Sequence, residues 1–287
     1  MNDKMKNLWV RSVSGAVLVV VVLGAILWSK WSFAALLMAI LIGGESEFYR
    51  MAQKAGYAPQ KVLGFVAGAI ILMVAFILMW LLDDSTTVSS QYLIIAVGLA
   101  LYIIMLIPVM FICELYRKSP TPIANIGSTL MGIVYVAMPL ALLFFIPLLL
   151  GRGVWNPWAL IFYIFIIWAN DVCAYLVGMS IGKHRLFQRI SPKKSWEGFI
   201  GGLVGAMAMG YVASTFMEGT HAIWIGMALI AAITGVFGDL VESLLKRSVD
   251  VKDSGNILPG HGGWLDRFDA LLLSIPFVFI YLVFCID

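Results

Sequence analysis

Long apolar runs separated by short polar intervals make up most of the chain. The runs are about 20 residues long and mix Leu, Ile, Met, Gly and Ala without strict alternation, which predicts membrane-spanning helices and argues against a barrel. Nine are predicted, at residues 10–28, 32–51, 61–82, 91–115, 123–150, 158–178, 199–216, 222–245 and 270–285. The first is too long for the core of a signal peptide. Lys30 and Trp31 are predicted to form a very short turn into the second, and Pro120 and Pro122 to end the fourth. The fifth is long for one crossing and contains Pro139 and Pro147, so one kinked span competes with two separate pieces. The seventh is rich in Gly and Ala, which suits close helix packing.

Composition supports this pattern. Of the 287 residues, 62% are hydrophobic and 12% charged, with a mean hydropathy of +0.97, so there is too little polar surface to coat a soluble globule. The expected fold class is therefore all-α, a polytopic integral membrane protein. In the nine-span arrangement 17 of the 19 Lys and Arg residues fall on one side, leaving Lys30 and Arg152 on the other. By the positive-inside rule the N-terminus is then cytoplasmic, as are both long polar loops. The net charge of +3 is modest, and no polar domain presents the basic residues to nucleic acid, so nucleic acid is excluded as a partner. Cys113, Cys173 and Cys285 lie far apart in apolar runs and read as small core residues. His184 and His221 read as incidental loop residues, and Glu45 and Glu47 as interfacial acids near Arg50.

Polar groups inside the apolar runs are concentrated in the second half. Residues 1–150 read as a lipid-facing scaffold and 151–287 as the catalytic region. Asp171 lies near the end of an apolar run, where an unpaired carboxylate would cost on the order of 2.5–3.5 kcal/mol, so it needs a lysine partner or a metal. Lys193 and Lys194 follow Pro192 at the predicted entry to the seventh helix, whose N-terminus favours an anion; the alternative is attraction to anionic lipid headgroups.

The densest constellation lies between Gly238 and Asp269. Asp239, Glu242, Ser243 and Lys246 are spaced to share one helix face. Then come Arg247, Lys252, Asp253 and a loop whose Gly255, Gly260, Gly262 and Gly263 allow backbone N–H groups close to an anion. Asp266 and Asp269 follow one helical turn apart, with Arg267 between them. Carboxylates, cations and a glycine loop at one membrane edge suit a phosphate substrate held by Mg²⁺, which takes few carboxylates and fills its octahedron with phosphate oxygens and water. Asp239 and Asp266 form the expected metal pair, with Asp253 next. His261 could serve as a base, a phosphate donor or a loop anchor. Residues alone lead to a membrane enzyme or a transporter of a phosphorylated substrate; transport is disfavoured because no internal repeat is evident.

Ser243, Lys246-Arg247, Lys252-Asp253, Pro259, His261-Gly262-Gly263 and Asp266-Arg267-x-Asp269 resemble the signature of phosphatidate cytidylyltransferases, also called CDP-diacylglycerol synthases. Upstream, Asp171, Ala174-Tyr175, Gly178, Gly182-Lys183, Ser191-Pro192-Lys193 and Glu197-Gly198 resemble another part of the same family. Ser195 stands where threonine is common, and Trp264 where a smaller aliphatic residue is usual. The resemblance implies the reaction of CTP with phosphatidic acid to give CDP-diacylglycerol and diphosphate, at the cytoplasmic face of the plasma or inner membrane. It implies Mg²⁺, leaves room for a second, monovalent cation, and implies a homodimer. In that reading Asp239, Asp266, Asp253, Lys246 and His261 serve catalysis, while Asp171, Lys193, Lys194, Ser243, Arg247, Lys252, Gly262, Gly263 and Arg267 hold substrate. A CTP-dependent kinase of a lipid alcohol is the alternative enzyme.

Overall fold

A computed structural model describes residues 3–83, 90–217, 219–255 and 262–285. The helices are α1 (Asp3–Trp28), α2 (Lys30–Lys54), α3 (Lys61–Leu82), α4 (Ser90–Arg117), α5 (Pro122–Gly132), α6 (Met138–Leu143), α7 (Ile146–Leu150), α8 (Pro157–Ile181), α9 (Trp196–Phe216), α10 (His221–Ser248) and α11 (Leu265–Cys285). Among the described residues, eight helical stretches are long and apolar enough to cross a membrane, and the apolar part of α1, Ser12–Trp28, is shorter. The chain divides into two compact units, Met1–Phe144 with Asp253–Leu265, and Phe145–Lys252 with Asp266–Asp287.

In the first unit the turn before α2 is tighter than expected: Lys30 and Trp31 already belong to the helix. Only Ser29 is extended, and a reciprocal capping box stabilises it, with Ser29 Oγ accepting from Ser32 N and Ser32 Oγ from Ser29 N, both at 3.0 Å. Tyr49 is wholly buried against Gly64 and Gly132, whose missing side chains make room for its ring; its hydroxyl donates to Thr129 O at 3.1 Å. Glu114 on α4 accepts from Asn125 Nδ2 at 2.6 Å, Gln60 Nε2 at 2.8 Å and Arg117 Nη1 at 2.9 Å, tying α4 to α5 and to the segment before α3. Glu45 and Glu47 are not interfacial, since both are fully buried. Arg50 instead reaches Ser46 Oγ at 3.5 Å, and Glu45, among Leu41, Gly68 and Ala137, has no hydrogen-bond partner among the described residues.

The apolar stretch Pro122–Leu150 runs as a kinked series, in which a π-turn at Ile133–Ala137 separates α5 from α6. Met138 N–H reaches back to Ile133 O, and the next residue, Pro139, has no N–H to donate.

In the second unit α8 and α9 pack most closely. Gly198, Gly201, Gly202 and Gly205 on α9 lie against Ala174, Val177, Asn170 and Cys173 of α8, where a Cβ on any of them would collide. Across α8 and α11, Tyr163 and Ser274 share a 2.7 Å hydrogen bond in the core. The all-α expectation holds, with one small addition: β1 (Arg185–Phe187) and β2 (Ser191–Ser195) form a short antiparallel ribbon between α8 and α9. The cysteine reading also changes, since Cys113 and Cys285 are exposed and Cys173 is half-buried. On a helix face turned to lipid a thiol is as much at home as in a core.

Candidate active site

The ribbon places the basic residues. Ser195 caps α9, its Oγ accepting from Gly198 N at 3.2 Å. Glu197, in the first turn of α9, accepts from Lys183 N at 3.1 Å and His184 N at 3.2 Å and meets His184 Nδ1 at 2.6 Å, which pins the start of the ribbon to the helix. His184 is therefore an anchor, and His221, at the start of α10, bonds Ser214 Oγ at 2.6 Å; neither is an incidental loop residue. Lys193 and Lys194 lie on extended β2, not at a helix N-terminus as predicted, because the cap falls one residue later at Ser195.

A cavity of about 540 Å³ opens among α8, the ribbon, α9 and α10. Asp171, Asp239, Arg185, Lys193 and Lys194 supply its charges, and Tyr175, Met179, Leu186, Phe199 and Val236 much of its apolar wall. The upstream signature residues Asp171, Ala174, Tyr175, Gly178, Lys193 and Gly198 all line it. Lys194 Nζ is 2.6 Å from Asp239 Oδ2, and Ser243 Oγ donates to Asp239 Oδ1 at 3.2 Å. Asp171 lies within the electrostatic reach of both Lys194 and Asp239, and its neighbour Asn170 meets it at 3.5 Å.

Asp269 joins the group, within the electrostatic reach of Asp239, Asp171 and Lys194. The approach depends on Gly238, since a Cβ there would strike the backbone of Asp269 and Ala270. Two turns further along α10, Lys246 Nζ is 2.5 Å from Asp266 Oδ1 and pairs with the buried Glu242. Asp239 and Asp266 thus rest on different lysines, and sequence reasoning missed Asp269 and Arg185 as members of the constellation. Arg247 turns to Val251 O at 2.9 Å, while Lys252 and Asp253 are exposed. Among the described residues no three His, Cys, Asp or Glu side chains are gathered to hold a metal ion.

In the first unit Gly262 has a φ of +82° and Gly263 is buried against Glu47. Trp264, the departure from the expected small residue, is accommodated by Gly43, where any side chain would overlap its indole. Arg267 is exposed on α11. Pro259, Gly260 and His261 lie outside the described residues.

A phosphatidate cytidylyltransferase of Staphylococcus aureus (strain COL) is 48% identical over 120 residues, which is 41% of this chain and 46% of that protein. One of Bacillus subtilis (strain 168) is 49% identical over 120 residues, 41% of this chain and 44% of that protein. In both, the match spans less than half the length of the relative. A phosphatidate cytidylyltransferase of Rickettsia bellii (strain RML369-C) is 29% identical over 286 residues, covering 96% of this chain and 92% of that protein. A family model described as "Cytidylyltransferase family" matches residues 9–285, so the chain belongs to the cytidylyltransferase family.

Proposed function

We propose that the protein is a phosphatidate cytidylyltransferase, joining CTP and phosphatidic acid to give CDP-diacylglycerol and diphosphate. The observation that carries this reading is the cavity, where Arg185, Lys193 and Lys194 face Asp171 and Asp239 beside an apolar wall. Its volume lies within the range of about 300–1,000 Å³ usual for small-molecule sites. Cations suit the triphosphate, and the apolar wall suits a substrate arriving from the bilayer. The relatives' names favour this reaction over a lipid-alcohol kinase or a transporter.

In the reaction an oxygen of the phosphatidate phosphate attacks the α-phosphorus of CTP, the bond to the bridging oxygen breaks, and diphosphate leaves. The lysines stabilise negative charge on the transferring group and the leaving group. Asp239 holds Lys194 in place, Ser243 orients Asp239, and Asp266 does for Lys246 what Asp239 does for Lys194. Mg²⁺ prefers hard carboxylate oxygens, and Asp239 and Asp266, which each already hold a cationic group, would offer them, with Asp171 and Asp269 as further carboxylates. When bound, the ion would neutralise phosphate oxygens. Phosphatidate brings its own oxyanion, because the second pKa of a phosphate monoester is about 6. His261 is therefore needed as a loop anchor or hydrogen-bond donor and not as a base.

We further read α1 as a ninth span, the N-terminus and the cavity as cytoplasmic, the membrane as the plasma or inner membrane, and the enzyme as a homodimer. A purified-protein assay offering CTP or ATP against phosphatidic acid or diacylglycerol tests the activity, with products identified by mass. Only CTP with phosphatidic acid should yield product, and phosphorylated diacylglycerol would overturn the reading. For the topology, a cysteine replacing Lys183 in a cysteine-free background should react with an impermeant thiol reagent only after permeabilisation, and one replacing Glu218 in intact cells. Labelling of position 183 from outside would reverse the assigned face.

A further inference from the structure

We propose that Glu47 is a positioning residue for the reaction, a buried carboxylate on α2 that holds the two ends of the glycine-rich segment and the first turn of α11. The inference rests on the cytidylyltransferase reading for its consequence, but its geometry stands alone. Glu47 Oε2 accepts from Ser254 Oγ at 2.7 Å and from Leu265 N at 3.0 Å, and Oε1 accepts from Trp264 N at 3.0 Å. These partners are more than 200 residues away in sequence.

The chemistry of the group fits the task. All three partners donate, and a carboxylate accepts at both oxygens, whereas an amide would turn an N–H₂ donor toward at least one N–H or O–H. The backbone N–H groups of Trp264 and Leu265 stand at the start of α11, where a helix leaves its first donors without internal acceptors. Glu47 thus caps α11 from another helix, and a carboxylate there also opposes the helix dipole favourably. Gly255 and Gly263 press their backbones onto the same carboxylate, where a Cβ on either would overlap it. Asp266 is the next residue after Leu265, and Asp269 follows one turn later, so the register of this first turn fixes where both carboxylates begin.

The test uses full-length wild type, Glu47→Gln, Glu47→Asp and Ser254→Ala in lipid nanodiscs. Three quantities are measured: hydrogen–deuterium exchange of the peptide containing Trp264 and Leu265, kcat and KM for CTP and phosphatidic acid, and Tm. Misplacing reacting groups by about 1 Å can cost on the order of 10²-fold. Glu47→Gln should therefore exchange that peptide at least about tenfold faster and lose roughly 30- to 100-fold in kcat, with KM for phosphatidic acid nearly unchanged. Ser254→Ala, which removes one of three bonds, should lose only about three- to fivefold, and Glu47→Asp should fall between wild type and Glu47→Gln. If activity falls only in proportion to folded protein or Tm, or if faster exchange leaves kcat intact, the positioning role is wrong. Should Glu47→Gln not fold, Ser254→Ala decides, since wild-type kcat and exchange in that variant would overturn the proposal. A wild-type enzyme that makes no CDP-diacylglycerol sinks the functional reading instead, while the exchange data still judge the anchor.

Discussion

In the first unit Glu47 gathers three neutral donors from beyond residue 253, and Glu114 gathers the amides of Gln60 and Asn125 together with Arg117 of its own helix. In the second unit Asp239 and Asp266 each rest on a lysine, and the lysine of the first pair faces a cavity. A carboxylate whose acceptor sites are filled by fixed donors fastens segments together, and removing it leaves those donors buried and unpaired. A carboxylate held by a flexible ammonium can exchange that partner for a ligand. The same carboxylate group therefore serves architecture in the first unit and, in the proposed reaction, chemistry in the second.

The largest effect that would sharpen this contrast is expected at Asp239. Asp239→Asn should lower kcat by about 10³-fold or more while the protein remains folded in detergent, and near-normal turnover would remove Asp239 from the chemistry. Lys194→Met should cost about 10²-fold in kcat/KM for CTP. Because the two side chains form one pair, the double variant should lose little more than Asp239→Asn alone, which a double-mutant cycle measures. For His261 the expected loss is roughly tenfold with Ala and smaller with Gln, which keeps a donor. The acidic limb of the pH–rate profile should persist in both His261 variants, since protonation of the lipid phosphate at about pH 6 causes it. Loss of that limb, or equality of Gln and Ala, would make His261 a base. Glu114→Gln should have the smallest catalytic effect. It should lower stability by about 1–3 kcal/mol, read as reduced Tm, with activity per folded molecule unchanged.

Much of this contrast could be read from residue order. The apolar runs located the helices, although α1 and α11 start several residues earlier than their runs and the fifth run is broken into shorter helices, and the i, i+4 spacing of Glu242 with Lys246 and of Asp239 with Ser243 foretold their contacts. Local spacing could not reveal Glu47, because its partners lie beyond residue 253 and Arg50 offered a nearer decoy. Nor could it reveal the ribbon, whose strands are short, mostly polar and interrupted by Pro192, so no alternating pattern marks them. Spacing set Asp269 one turn after Asp266, and only the close approach of α11 to Gly238 brings it to Asp239 and Asp171.

The Lys194–Asp239 pair makes the resting cavity an internal salt. An anion that draws Lys194 away uncovers a bare carboxylate, and a cation taken up by Asp239 sets the ammonium free. Reciprocity then requires each ion to strengthen the other's binding by the same factor. A site built in this way discriminates against either ion arriving alone, and fills by exchange with the two together.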